Sequence, residues 1–171
     1  PRFSWRGQHL DTVRHYFSVD SILKLLDLMS LFKLNKFHWH GTDDEAFRFK
    51  LDDDYEIATS TSTRGDGQLV PPVFGSGPFP SGGCYDLVQI KRIIDRASEN
   101  YIEVMPEFDL PGHNMSLVKL YPSMRDPEDK SYEVSVQGYT ENTVNPAMPD
   151  TFSILEKVID DLCKVFPGEY I

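Results

Sequence analysis

The sequence predicts an α/β fold, the first half of a (β/α)8 TIM barrel, with parallel strands alternating with helices. Short apolar runs alternate with amphipathic helical stretches, the signature of right-handed βαβ units on a parallel sheet. A polar cluster follows each predicted strand, on the edge where barrels keep their chemistry. No glycine-rich phosphate loop follows the first strand, which argues against an open nucleotide-binding sheet. A full barrel takes at least about 200 residues, and this chain has 171. Residues 1–171 are therefore expected to form a partial barrel domain, carrying strands one to three and the start of a fourth, with the remainder outside the chain.

The elements follow in order. Residues 7–12 form a short first strand. Residues 20–32 form a helix with Ile22, Leu25, Leu26, Met29 and Phe32 at spacings of three and four. Lys36 to His40 is the second strand, with His38 and His40 on one face and Phe37 and Trp39 on the other. Residues 50–84 are rich in Gly, Pro, Ser and Thr and read as a long loop centred on RGDGQLVPPVFGSGPFPSGG. Such a loop in a compact domain is functional or disordered. Asp86 and Gln89 form a capping box for a helix carrying Ile90, Ile93, Ile94 and Ala97. YIEVMP, residues 101–106, is the third strand. Residues 107–149 are irregular apart from a short helix after His113. Asp150 caps a last helix bearing Phe152, Leu155, Val158, Ile159, Leu162 and Val165. Pro167-Gly168 ends it, and residues 169–171 open a fourth strand.

The formal charge of −10 repels phosphate backbones and argues against a nucleic-acid partner. No apolar run approaches the roughly 20 residues that span a bilayer. The chain opens on Pro1 rather than Met and reads as a segment of a longer protein, which leaves localisation open. Cys84 and Cys163 fit no metal or redox spacing; a disulfide between them and two free thiols are both open, as is homo-oligomerisation.

Three stretches carry the chemistry. In DTVRHY, Arg14 stands just past a strand end, where its fork can clamp hydroxyls or carboxylates or simply pair with Asp11. In HWHGTDDE, two histidines run into three carboxylates. They can hold a metal, fill polar positions inside a barrel, or start a proton relay. In MPEFDLPGHN, Glu107 and Asp109 leave the strand end and His113 follows a tight turn, a placement suited to acid–base work. A metal-dependent hydrolase reading takes His38, His40 and His113 as ligands, with Asp43 or Asp109 completing the site.

Together RGQHLDTVRH (6–15), FHWHGTDDE (37–45) and PEFDLPGH (106–113) resemble glycoside hydrolase family 20, the β-N-acetylhexosaminidases. PPVFGSGPFPSGGCY and VFPGEYI are similar as well, so the resemblance covers the whole chain. It implies a catalytic barrel that removes terminal β-linked N-acetylglucosamine or N-acetylgalactosamine with retention, using the sugar's own acetamido oxygen as nucleophile. No cofactor and no metal are implied, and the partner is a carbohydrate. Arg14 would bind sugar hydroxyls. Asp43 would hold His113, and His113 would contact an acid/base Glu. Glu107 and Asp109 would support the pocket floor, and His38 and His40 would be interior polar positions. The family's Asp-Glu pair follows a stretch like FPGEYI, and so is expected beyond Ile171. An inactive carbohydrate-binding homologue is the remaining alternative. Departures from the family pattern are Gln8-His9 in place of apolar residues, Gly41 in place of Leu, and Ala46 in place of Gly or Ser.

Overall fold

A computed structural model of the chain describes residues 1–53, 55–72, 79–128, 139 and 141–171. Its centre is a parallel sheet of three strands, β1 (Gly7–Asp11), β2 (Lys36–His40) and β7 (Glu103–Glu107), in the order β1-β2-β7. The register pairs His9 with His38, Asp11 with His40, and His40 with Glu107. Because side chains alternate in a strand, this register puts His9, Asp11, His38, His40, Met105 and Glu107 on one face. Phe37 and Trp39 point the other way and are fully buried.

Helices α1 (Val19–Leu31) and α3 (Leu87–Glu99) cover that apolar face and pack on each other. Their buried residues, Ile22, Leu26 and Met29 on α1 and Ile90, Ile93 and Ala97 on α3, recur at helical spacing and join Phe37, Trp39 and Val104 in one core. Ser18 caps α1 by accepting the Ser21 N–H, so the helix starts one residue earlier than the apolar pattern alone suggests. Asp86 and Gln89 form the expected capping box on α3. The last helix, α5 (Thr151–Val165), buries Leu155, Val158 and Leu162.

Several boundaries differ from the sequence reading. The third sheet strand starts at Glu103, because Tyr101 turns the chain with a left-handed φ of 56°. The stretch 50–84 is more ordered than its composition suggests. It holds helix α2 (Glu56–Thr61) and the antiparallel pair β5 (Thr63–Arg64) and β6 (Ser81–Gly82). The helix anchors because Ile57, Ala58 and Thr61 are buried, which outweighs a sequence poor in helix formers. Residues 73–78 lie outside the described part. Asp150 precedes α5 but its side chain makes no capping bond. Residues 169–171 form no strand. Cys84 and Cys163 are free thiols. The short helix after His113 is present as α4 (Met115–Leu120), while 129–138 and 140, in the irregular region, lie outside the described part.

Between β2 and α2 the chain makes a small hairpin, β3 (Thr42–Asp43) with β4 (Ala46–Phe47). Two contacts fix it. Gly41 lies against the Phe49 ring so closely that a Cβ there would overlap the ring carbons. Arg48, 1% exposed, donates to the backbone carbonyls of Thr12, Val13, Ser62 and Gly83. It thereby ties the loop after β1 to the hairpin and to the β5–β6 pair. Burial pulls its guanidinium down to about 10, still charged at neutral pH. A lysine at 48 offers a compact head without the planar fork and leaves some of these carbonyls unpaired. Arg48→Lys should lower unfolding stability by about 3 kcal/mol, read from the urea midpoint. Arg92→Lys, at an exposed ion pair, should stay within about 0.5 kcal/mol of the parent.

Candidate active site

The polar inner face of the sheet and the loops leaving its C-terminal ends converge on Asp43. Its carboxylate is fully buried yet surrounded by donors. Oδ2 lies 2.8 Å from Arg14 Nη2 and 2.8 Å from His40 Nε2. Oδ1 accepts the Asp44 N–H at 2.6 Å and faces His113 Nδ1 at 3.1 Å. The structure thus brings together Arg14 from the β1 loop, Asp43 from the β2 loop and His113 from the β7 loop. Burial alone would raise the Asp43 carboxyl, but His40, the Asp44 amide, Arg14 and His113 outweigh it and hold it below the usual range.

Each loop has a local reason for its course. Asp11 Oδ1 accepts the N–H groups of Val13 and Arg14, an Asx-type turn that swings Arg14 over the sheet edge. Arg14 then also pairs with Asp11 Oδ2 at 3.1 Å and Glu45 Oε2 at 3.1 Å. Burial opposes its charge, but the three carboxylates more than restore it. His113 sits in the left-handed region at φ 59°, a costly conformation for a side-chain-bearing residue that turns its ring back toward Asp43. Asn114 locks this turn by donating to the Asp109 and Gly112 carbonyls.

Asp44 and Glu45 face other directions. Asp44 Oδ1 accepts the Met115 N–H at the start of α4, and Oδ2 accepts from Asn142. Burial raises the Asp44 carboxyl despite those bonds. Glu45 binds Arg14 and accepts from the Tyr139 hydroxyl, whose ionisation is pushed up by burial and by this bond. Composition and spacing carried no signal for Tyr139, Asn142 or Arg48.

Glu107 and Asp109 lie below this layer. Glu107 Oε2 is approached by His38 Nε2 at 2.7 Å, His40 Nδ1 at 2.9 Å and His9 Nε2 at 3.5 Å. These approaches are short but poorly aimed, since neither His40 Nδ1 nor Glu107 Oε2 completes a hydrogen bond. We read them as ion-pair contacts. Glu107 and Asp109 split their acidities. Burial works against ionisation of both, but a hydrogen bond from Asp109 and then the imidazoles keep Glu107 low, while burial, that same bond and the Glu107 charge push Asp109 up to about 6. Among the described residues, His38, His40 and His113 do not form a common cluster of metal-ligand atoms; His113 belongs with Asp43 and Asp44, and His38 with Glu107.

The family model for the glycosyl hydrolase family 20 catalytic domain matches residues 3–171. The chain belongs to glycosyl hydrolase family 20. It is 33% identical to a β-hexosaminidase of Vibrio furnissii over 100% of this chain and 28% of that protein. It is 34% identical to the bovine (Bos taurus) β-hexosaminidase subunit alpha over 100% of this chain and 29% of that one. Among solved structures, the family 20 exo-β-N-acetylglucosaminidase of Vibrio harveyi, crystallised with N-acetylglucosamine, superposes with a TM-score of 0.89. It shares 32% identity, with 98% of this chain and 26% of that chain covered. The β-hexosaminidase of Streptomyces plicatus, a mutant in complex with product, gives 0.77 at 30% identity, covering 99% and 32%. The chain therefore spans less than a third of the length of these family 20 relatives. The partial α/β barrel expected from the sequence is the architecture found.

Burial disfavours a charged His40, but the Asp43 bond and the Glu107 charge prevail and lift it to about 9. A raised folded pKa stabilises the fold fully below the ordinary value of 6.5 and loses that contribution as pH rises through about 9. The melting temperature should therefore fall between pH 7 and pH 10. His40→Gln should flatten that part of the profile; an unchanged slope would remove His40 as its source.

Proposed function

We propose that the full-length protein is a β-N-acetylhexosaminidase, cleaving terminal β-linked N-acetylglucosamine or N-acetylgalactosamine by substrate-assisted, retaining catalysis. The reading rests on one observation above all: a buried Asp43 carboxylate that holds both Arg14 and His113, in a chain of family 20. In this reading residues 1–171 supply the first three barrel strands, β1, β2 and β7. The rest of the barrel, with the Asp-Glu pair implied by the family resemblance, comes from chain beyond Ile171.

The chemistry divides as follows. The acetamido oxygen of the substrate attacks C1 while the acid/base Glu protonates the leaving oxygen; water later opens the cyclic intermediate with the same Glu as base. Asp43 is a positioning residue. It accepts from His113 Nδ1 and so leaves Nε2 free to meet the Glu and tune its proton affinity. Arg14, held by Asp11, Asp43 and Glu45, keeps its remaining donor capacity for sugar hydroxyls. Glu107 and Asp109 brace the floor through His40. The carbohydrate is the partner, and among the described residues no helix is long and apolar enough to cross a membrane.

Hydrolysis of p-nitrophenyl N-acetyl-β-glucosaminide by the full-length protein tests the activity, and its absence would sink the proposal. His113→Ala should lower kcat about a hundredfold with KM nearly unchanged, the loss typical of a disturbed acid–base group. Asp43→Asn should act in the same direction. Arg14→Ala should instead raise KM about tenfold, the loss of roughly one charge-assisted hydrogen bond. Full kcat in both relay variants would remove the relay from the mechanism.

A further inference from the structure

Three of the five histidines crowd one carboxylate oxygen on the inner face of the sheet, more than bracing the pocket floor through His40 requires. We infer that His9, His40 and Glu107 form a binding site for a divalent transition ion of the zinc class, with a solvent molecule as the fourth ligand.

One donor atom from each of the three residues lies within 4.8 Å of the others. His9 Nε2 and His40 Nδ1 stand 3.5 and 2.9 Å from Glu107 Oε2. Tetrahedral zinc with bonds of about 2.0–2.1 Å spaces its ligand atoms about 3.3 Å apart, so small side-chain movements suffice. Two imidazoles and a carboxylate are also the donor set this ion prefers at open sites.

Two further observations point to a ligand. His40 is nearly wholly buried, and among the described residues neither its Nδ1 nor Glu107 Oε2 completes a hydrogen bond. The two atoms face each other at 2.9 Å as an ion pair without an aligned hydrogen bond, and an ion between them would replace that contact with two directed bonds. His40 Nε2 meanwhile stands 2.8 Å from Asp43. Nε2 also lies 2.9 Å from Arg14 Nη1; in the tautomer that donates Nε2–H to Asp43, the opposite nitrogen offers a lone pair, the arrangement that orients metal-binding histidines. Binding replaces the proton on His40 Nδ1, which passes to solvent. The ligands come from three adjacent hydrogen-bonded strands, β1, β2 and β7, so their spacing is fixed by the sheet. His9 completes the set from a position where the family resemblance implies an apolar residue. His38, 2.7 Å from the same oxygen, packs edge-on against His9 and braces it.

The test is titration of the chelator-stripped full-length protein with Co2+, followed by its visible absorption, then competition with Zn2+. We expect the intense bands of four-coordinate cobalt and their loss on adding zinc. His9→Ala should weaken binding at least about tenfold, with the circular dichroism spectrum retained. Glu107→Gln should do the same, and serves if His9→Ala alters the fold. His15→Ala, an exposed histidine outside the cluster, should bind like the parent. No four-coordinate bands in the parent, or undiminished binding in both cluster variants, would overturn the inference. The absorption readout does not require turnover, so this outcome is separate from the success or failure of the hexosaminidase reading.

Discussion

The buried carboxylate of Asp43 is the constraint on which the upper edge of the sheet depends. Taking an ion out of water costs several kcal/mol, recovered only with well-placed partners. Arg14, His40, His113 and the Asp44 amide provide them. Each comes at a different angle, so the carboxylate fixes two side chains from separate loops and one from strand β2 at once. Removing the charge would leave the Arg14 and His40 cations facing each other across the same gap.

This answers why a strand ending on His-x-His should run straight into three acids. The β3–β4 hairpin separates them in direction. Asp43 points into the cationic cluster, Asp44 down to the start of α4, and Glu45 sideways to Arg14 and Tyr139. Their mutual repulsion is met by distinct partners rather than by solvent. Arg48 then ties the hairpin to the neighbouring loops through backbone carbonyls alone, which spares the nearby carboxylates for the site.

Much of this was legible in the sequence, and the exceptions have physical causes. Helices α1 and α3 follow from periodicity because each buries one face and exposes the other, and strand β2 from its alternation of apolar and polar side chains. Asp43 and His113 could be paired only through the family resemblance, since 70 residues separate them. Helix α2 was hidden because tertiary burial of Ile57 and Ala58, not propensity, holds it. Residues 169–171 form no strand even though β7 lies at the edge of the sheet with one side unpaired among the described residues; Glu169 meets it through the Glu103 side chain. Tyr139 and Asn142 reach the site from a region with no local pattern. His9 was noted as a departure, but its importance is evident only from the register that sets it beside His38.

The close approach of Gly41 to Phe49 bears on how such barrels diverge. The ring of Phe49 occupies the volume that a leucine at 41 would claim, and it stacks edge-on with Trp39 and Phe166. In this chain the bulk at that place is carried by residue 49 and not by residue 41. A lineage moving between the two arrangements cannot change either residue first without overfilling or hollowing the space beside Trp39. A larger side chain at 41 would need a smaller one at 49, so the two positions are coupled through the space beside Trp39.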